Sequence, residues 1–288
     1  VIEDQNNRSK LTKLLRFQTS NQEGIQSLED YVARMPDWQK DIYFIAGENM
    51  ESVQKSPFLE KARKKDVEIV YLTEPIDEYL MQHMGDFDGH KLTSLTKEGV
   101  KFGDEDEEVT KKRMSAYKDT FKPLTGYLKD LFGSKVSKVI VSQRVETTPS
   151  VVVHGAYGQS ANMERIAKAQ TFANSERMKE MASQRTLELN PRHPIIVELN
   201  RLAQESPEEQ STKDLAWILY DTALVSSGFA QEDVDTFSER MYRTIASNLN
   251  VESMDLAPEL EIEEDEEVDT DSDLDSDKDS ESDADSEL

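Results

Sequence analysis

The chain has 288 residues and a formal net charge of −25, and it contains no cysteine. A chain without cysteine cannot form a disulfide, a thiolate metal site or a cysteine nucleophile. An acidic chain is a poor partner for nucleic acid, whose phosphates bind clustered Lys and Arg, and no apolar run approaches the roughly 18 residues of a membrane span. Because the first residue is Val1 and no apolar signal stretch follows it, we expect a piece of a longer protein whose N-terminal part is missing.

The first third of the chain predicts alternating strands and helices. Ser27 can cap a helix, and the apolar runs 41–47 and 67–72 predict two strands. Further helices are predicted to begin at Pro57 and at Pro75, because proline favours the first turn of a helix. Strand, helix, strand and helix at this spacing predict a right-handed crossover and a small parallel βαβ layer.

No catalytic constellation stands out along the chain. The ends of the two predicted strands carry neither a G-x-G-x-x-G motif nor a P-loop lysine, so they predict no nucleotide site. A Ser-His-Asp set could be drawn from Ser142 and His154, but no nucleophile elbow surrounds Ser142. His193 has no partner at metal-ligand spacing and is predicted to be a hydrogen-bonded turn residue. We assign no catalytic, cofactor-binding or metal-binding residue.

A shift in composition marks the predicted domain boundary. The run "GVKFGDEDEEVTKK" is acidic and lacks apolar periodicity, which is typical of a solvated linker. We predict an α/β domain over 1–102, a linker over 103–112, an α+β domain over 113–250 and a disordered acidic tail over 251–288. Between Pro258 and Leu288 the tail has 17 acidic residues and one lysine, too few apolar groups to offset the entropy of ordering.

The second domain opens with helical spacing from Tyr117 to Phe132 and continues into a sheet. The β-branched runs 139–141 and 151–153 flank a Thr-Pro turn, which predicts that the two runs pair with each other. Ser160 and its neighbours can then cap a helix.

Four stretches of the chain resemble one protein family. The segment "VSQR", a Thr-Pro turn and "YGQSANMERIAKAQ" resemble the C-terminal domain of the ninety-kilodalton heat-shock chaperone family. The segments "VIEDQNNRSKLTKLLRFQTS", "YVARMPDWQKDIYFIAGEN" and "KSPFLEKARKKDVEIVYLTEPIDEY" resemble the middle domain of that family. The resemblance covers residues 1 to about 250. It implies the rear of the middle domain and the C-terminal dimerisation domain of an ATP-dependent chaperone, with the ATPase domain upstream of Val1. ATP is implied only for that upstream domain.

The resemblance is strongest to the endoplasmic-reticulum member of the family. It rests on the Phe44-Ile45-Ala46-Gly47 stretch and on a long acidic tail that ends in Glu287-Leu288, like the last two positions of a Lys-Asp-Glu-Leu retrieval signal. We therefore predict the endoplasmic-reticulum lumen, with the cytoplasm as the alternative.

The methionine-bearing segment over residues 171–185 predicts contact with client proteins. Methionine is pliable and recurs on promiscuous binding surfaces. The resemblance also implies that clients are contacted near this segment. The candidate residues are Met163, Ile166, Met178 and Met181. Of these, Met163 and Met178 are expected on the surface and Ile166 in the core, while Met181 fits either place. The alternative is that these methionines are ordinary core residues.

Residues 212–228 predict a helix that is apolar nearly all round and must be covered on both sides. We expect one side to face a second copy, and helices from two copies to form a four-helix bundle about a twofold axis. The predicted interface residues are Leu215, Ile218, Leu219, Thr222, Val225, Met241, Ile245 and Leu249. A core within a single chain is the alternative.

The tail supports an alternative hypothesis for the function of the chain. Its carboxylates could bind calcium weakly, which leaves open an acidic calcium-buffering or protein-interaction scaffold without chaperone activity. The resemblance also allows co-chaperones as partners. Residues 266–269 resemble a tetrapeptide that holds such partners at a free chain end, but 19 residues follow them here.

Overall fold

The computed structural model describes residues 1–103, 107–155, 158–169 and 184–260, which build two β-sheets with helices packed around them. In the first sheet the order is β2-β1-β4-β3-β6-β5, and its strands are β1 (Phe17–Thr19), β2 (Ile25–Gln26), β3 (Ile42–Ala46), β4 (Ile69–Leu72), β5 (Asp86–Phe87) and β6 (His90–Ser94). β3 pairs in parallel with β4 and with β6, whereas β1 and β4 are antiparallel. The chain is thus a mixed α/β structure, and the predicted parallel pair is present.

Helices cover both faces of the first sheet. They are α1 (Arg8–Thr12), α2 (Leu28–Arg34), α3 (Met50–Gln54), α4 (Glu60–Lys64) and α5 (Pro75–Met84), with a 3-10 turn over Pro57–Leu59. Ser27 caps α2 through a reciprocal pair of hydrogen bonds with Asp30, and Pro75 lies in the first turn of α5, as predicted. In β3, Ile42 and Phe44 enter one hydrophobic cluster, while Tyr43 and Ile45 enter another on the opposite face. This burial on both faces explains why the run was continuously apolar.

The second sheet departs from the predicted pairing. Its strands are β7 (Lys138–Val141), β8 (Ser150–His154) and β9 (Arg185–Leu189), in the order β7-β9-β8. β9 lies between the other two, parallel to β7 and antiparallel to β8, so the prediction that β7 and β8 pair with each other was wrong. All five residues of β9 are buried, and the connection over residues 142–149 is too long to fix a tight hairpin.

Helices α6 (Glu107–Thr120), α7 (Lys122–Phe132), α8 (Ala161–Ala169), α9 (Pro194–Glu205), α10 (Gln210–Ser226) and α11 (Val234–Leu249) surround the second sheet. α6 begins inside the segment predicted to be a linker. The helix predicted over 117–132 is broken at Phe121, which is buried. Pro123 explains the break, because its ring excludes a continuous helix through that turn. A large cluster of apolar side chains joins α7, the second sheet, α9 and α10.

The two sheets share a hydrophobic cluster rather than standing apart. Val145, Val151 and Val153 of the second unit pack in the same cluster as Tyr43 and Phe58 of the first. Polar contacts follow the same junction: the Arg144 guanidinium donates to the carbonyl oxygens of Leu95 and Lys97, each at 2.7 Å. The predicted boundary over 103–112 therefore separates two stretches of chain that are packed against each other.

Candidate dimerisation and client-contact surfaces

Helix α10 is buried on one side and exposed on the other. Its buried side contributes Ala216, Leu219, Tyr220, Ala223 and Leu224 to the large cluster. On its other side Leu215, Thr222 and Val225 are exposed, and 59% of the Val225 side chain is accessible. The helix is apolar nearly all round, as predicted from the sequence, and among the described residues the side that carries Leu215, Thr222 and Val225 is left uncovered.

Helix α11 is amphipathic and none of its residues is buried. Its exposed apolar side chains are Val234, Tyr242, Ile245 and Leu249, and Phe237 and Met241 are half-buried. Leu249 is 68% exposed and Ile245 is 47% exposed. A 16-residue helix with such an apolar stripe gains little from folding unless another surface covers the stripe.

Charged groups hold α11 against α10. The Arg243 guanidinium pairs with Asp214 at 2.8 Å, and Arg240 pairs with Asp221 at 2.7 Å. Arg240 also lies over the Trp217 ring, with its guanidinium carbon 4.7 Å from the ring centroid. Burial disfavours the charged form of Asp214, but hydrogen bonds from Arg243 and Gln210 and the attraction of the Arg243 and Arg240 charges together outweigh it and lower the pKa of Asp214. Because polar pairs make this contact, the apolar stripe of α11 is left facing outward.

The predicted interface residues divide into three groups in the structure. Exposed residues are Leu215, Thr222, Val225, Ile245 and Leu249; half-buried residues are Ile218 and Met241. Leu219 differs, since only 7% of it is accessible and it packs in the chain's own core. We call the exposed and half-buried members of this set, together with Tyr242 and Phe237, the dimer surface.

The predicted client-contact residues lie on or beyond α8. Ser160 caps this helix by accepting a hydrogen bond from the Met163 amide at 3.1 Å, as the sequence indicated. Met163 and Ile166 are both half-buried, so neither is fully in the core. Met178 and Met181 lie outside the described residues.

The buried side of α8 is polar. Asn162 donates to the Glu78 carboxylate of α5 at 3.0 Å, and Glu164 pairs with the Arg185 guanidinium at 2.7 Å. Burial raises the pKa of Glu78, although its hydrogen bonds act in the opposite direction. With polar groups filling the inner side, Met163 and Ile166 are left at the rim of the helix, where they can meet another molecule.

Two apolar residues of α5, the helix that contacts α8, are also exposed and were not predicted as site residues. Ile76 is 59% exposed and Tyr79 is 46% exposed, on the helix that Glu78 connects to α8. The sequence predicted a helix that begins at Pro75 but did not indicate whether Ile76 and Tyr79 are buried or exposed. Their exposure depends on how α5 and α8 pack, and the local pattern does not contain that information. We call Ile76, Tyr79, Met163 and Ile166 the client surface.

Within the described residues, no helix has the length and apolar character needed to cross a membrane, and no group of three or more His, Asp or Glu side chains is arranged to hold a metal ion.

His193 caps α9 by accepting a hydrogen bond from the Ile195 amide, which confirms the predicted turn histidine.

Comparison with known proteins identifies relatives of this chain. A family model described as Hsp90 protein matches residues 1–281. A protein named Endoplasmin homolog from Arabidopsis thaliana is 42% identical over 265 residues, which cover 91% of this chain and 31% of that protein. Proteins of the same name from Hordeum vulgare and Catharanthus roseus are 39% and 40% identical, each covering 92% of this chain. The chain spans about one third of the length of these relatives.

Proposed function

Because the chain belongs to the Hsp90 family, we propose that it is part of a molecular chaperone, in which it joins two copies of the protein and contacts client proteins during folding. The observation that carries this proposal is the uncovered apolar stripe of α11 beside the exposed side of α10. Both helices belong to the part of the chain that resembles the family's dimerisation domain.

A second copy fits the dimer surface better than an unrelated partner. Two copies of α10 and α11 related by a twofold axis would make a four-helix bundle, and each copy would cover the stripe of the other. The apolar character of the stripe is typical of obligate interfaces, which bury on the order of 2,000 Å² or more. The ion pairs between α10 and α11 fix the angle at which the two stripes are presented.

Clients are proposed to bind the client surface. Its side chains are apolar and partly exposed, and they sit on two helices joined through buried polar groups. Flexible methionine and aromatic side chains can adapt to many unfolded sequences without a defined pocket. Met178 and Met181 remain predicted members of this surface.

Substitution to alanine separates a client surface from a core. Met163→Ala and Tyr79→Ala should weaken binding of an unfolded polypeptide while leaving the melting temperature nearly unchanged, because neither side chain is fully buried. Leu14→Ala is the matched control, since Leu14 is an exposed apolar residue outside this surface. If client affinity is unchanged while melting temperatures fall by the equivalent of ~2–5 kcal/mol, the residues belong to the core instead.

We further propose that residues 1–288 do not hydrolyse ATP on their own and that the protein works in the endoplasmic-reticulum lumen. The relatives named Endoplasmin homolog support this compartment. ATP turnover above a no-protein control, abolished by a substitution in this chain, would contradict the first proposal.

A further inference from the structure

Arg185, the first residue of β9, is a buried cation that joins two distant parts of the chain. Only 2% of its side chain is accessible. Its guanidinium donates to both carboxylate oxygens of Glu164 on α8, at 2.7 and 3.0 Å, and to the carboxylate of Glu232, just before α11, at 2.8 Å. The guanidinium carbon lies 4.7 Å from the centroid of the Phe229 ring, which belongs to the same connection as Glu232. Arg185 therefore contacts both the helix that carries part of the client surface and the entry to a helix of the dimer surface.

The position of α8 depends on polar contacts. Its buried residues are Ala161, Asn162 and Glu164, so no large apolar side chain of this helix is fully buried. Lys168 also pairs with Glu164, at 2.7 Å, but 38% of the Lys168 side chain is exposed and water screens its charge. Arg185 is thus the buried ion partner of Glu164, and any movement of α8 changes the geometry of this pair.

The start of α11 depends on the same guanidinium. Glu232 lies two residues before Val234, the first residue of α11, and Lys135 approaches its carboxylate at a longer distance, 3.5 Å. Burial alone would raise the pKa of Glu232, but the charges and hydrogen bonds of Arg185 and Lys135 outweigh burial and lower this pKa. Since no residue of α11 is buried, the contact between Glu232 and Arg185 helps to set where this helix begins.

A buried ion pair resists separation more strongly than an exposed one. Loss of one partner leaves an uncompensated charge in the interior, which is strongly unfavourable. If client binding shifts or orders α8, Glu164 keeps its partner only when Arg185 moves with it, and Arg185 keeps Glu232 only when the start of α11 follows. Ordering one end thus meets part of the entropy cost of ordering the other, which makes the two events favour each other.

We propose that Arg185 is a positioning residue that couples client binding on α8 to dimerisation through α11. This inference rests on the proposed function, because it needs both the client surface and the dimer surface. Client binding tightens the dimer, and by reciprocity dimerisation tightens client binding by the same factor. Couplings between two sites typically change affinity by about 5- to 150-fold, and we expect a factor of about five.

Sedimentation equilibrium of the intact chain, with and without a saturating unfolded polypeptide, tests the coupling. Reduced and carboxymethylated α-lactalbumin is the unfolded probe, and a fluorescent label on the chain allows its sedimentation to be followed separately. The dimer dissociation constant of the parent chain should fall about fivefold when the probe is added.

Two substitutions each cut one end of the connection. Glu232→Ala removes the contact before α11, and Glu164→Gln removes the charge on α8. In each variant Arg185 keeps one carboxylate partner, so the fold should be preserved, which an unchanged circular dichroism spectrum checks. The dimer dissociation constant of each variant should be the same with and without the probe, and the double variant should show no further change.

A matched control and a reverse measurement complete the design. Glu208→Ala removes the ion pair with Lys213 beside α10 without touching Arg185, so the fivefold effect of the probe should persist. In the reverse direction, the variant Val225→Glu, Ile245→Glu, which should not dimerise, should bind the probe about fivefold more weakly than the parent dimer.

The outcomes separate this inference from the proposed function. A parent chain that dimerises and binds the probe, but whose two affinities do not affect each other, would overturn the coupling and leave the proposed function standing. Coupling that survives in both Glu232→Ala and Glu164→Gln would overturn the role of Arg185. A parent chain that fails to dimerise or fails to bind the probe would overturn the proposed function and this inference together.

Discussion

Arg144 connects the second sheet to the loop that follows the first. Its guanidinium pairs with Glu188 of β9 at 2.8 Å and donates to two carbonyl oxygens of the loop that follows β6. Both Arg144 and Glu188 are buried. A buried pair of this kind adds little net stability compared with apolar residues, but breaking it leaves one charge unpaired in the interior.

Arg144→Met should therefore lower the unfolding free energy by about 3–5 kcal/mol, measured by urea denaturation. The double variant Arg144→Met, Glu188→Met should recover part of this loss, because it removes the orphaned carboxylate. A loss below about 1 kcal/mol in the single variant would mean that Glu188 reaches water or finds another partner.

Glu60 connects α4 to the segment between β7 and β8. Its carboxylate accepts hydrogen bonds from the backbone amides of Glu146 and Thr147 at 2.7 and 2.8 Å, and from the hydroxyl groups of Thr147 and Thr148. Burial alone would raise the pKa of Glu60, but these hydrogen bonds outweigh it and hold the pKa below its usual value of 4.5.

The lowered pKa of Glu60 determines how the stability of the folded chain changes with pH. A carboxyl group whose pKa is lower in the folded state contributes stability above its unfolded pKa and loses it as the pH falls through the folded value. Glu60→Gln should thus be less stable than the parent chain at pH 7, and the difference should shrink as the pH falls below about 4.5. Urea titrations at several pH values measure this, with Glu51→Gln as an exposed control. A constant difference from pH 7 to pH 3 would contradict the role given to Glu60.

At this scale the sequence predicted short-range contacts and missed long-range ones. The caps at Ser27 and Ser160 and the hydrogen-bonded turn at His193 were predicted because their partners lie within three residues. Arg185 pairs with Glu164 and with Glu232, which lie 21 and 47 residues away, and no periodic pattern marks such partners.

At the scale of elements, the sequence specifies which residues form a strand better than which strand is its neighbour. The runs that became β7 and β8 were predicted correctly as strands, but the strand between them comes from a stretch more than 30 residues later. Similarly, apolar spacing predicted α10 and α11, whereas their relative placement depends on ion pairs that the spacing does not show.

Those ion pairs give a prediction for α11. In a chain kept monomeric by Val225→Glu and Ile245→Glu, Asp214→Asn combined with Asp221→Asn should speed amide hydrogen exchange along Val234–Leu249, because in the single chain α11 has no buried residue to hold it once the charges are removed. Exchange in β8 and β9 should stay slow, since both are buried in the core. Asp130→Asn, at an exposed position, is the control. Unchanged exchange in α11 would show that other contacts hold it.

For the molecule as a whole, the order of its parts could be predicted and their mutual packing could not. A mixed sheet that contains the predicted parallel pair precedes a second sheet with terminal helices, as the order of the motifs indicated. The cluster that joins Val151 to Tyr43 could not be foreseen, because a composition shift over 103–112 signals a change of chain character, not the absence of contact across it.

The burial of the predicted interface residues determines which of them can be substituted to test dimerisation. A charge at Leu219 would be buried in the chain's own core and would unfold the subunit whether or not it dimerises. Val225 and Ile245 are exposed in the single chain, so charged substitutions there should leave the fold intact and affect only association.

Sedimentation equilibrium of the chain at micromolar concentration tests the central claim most directly. We expect a particle of twice the 32.9 kDa of one chain. The variant Val225→Glu, Ile245→Glu should sediment as a monomer, because dimerisation would bury unpaired charge between the two copies. Its circular dichroism spectrum should be unchanged, because both residues are exposed in the single chain. Leu14→Glu, an exposed control outside the dimer surface, should remain dimeric. A parent chain that sediments as a monomer, or a variant that stays fully dimeric, would contradict dimerisation through α10 and α11.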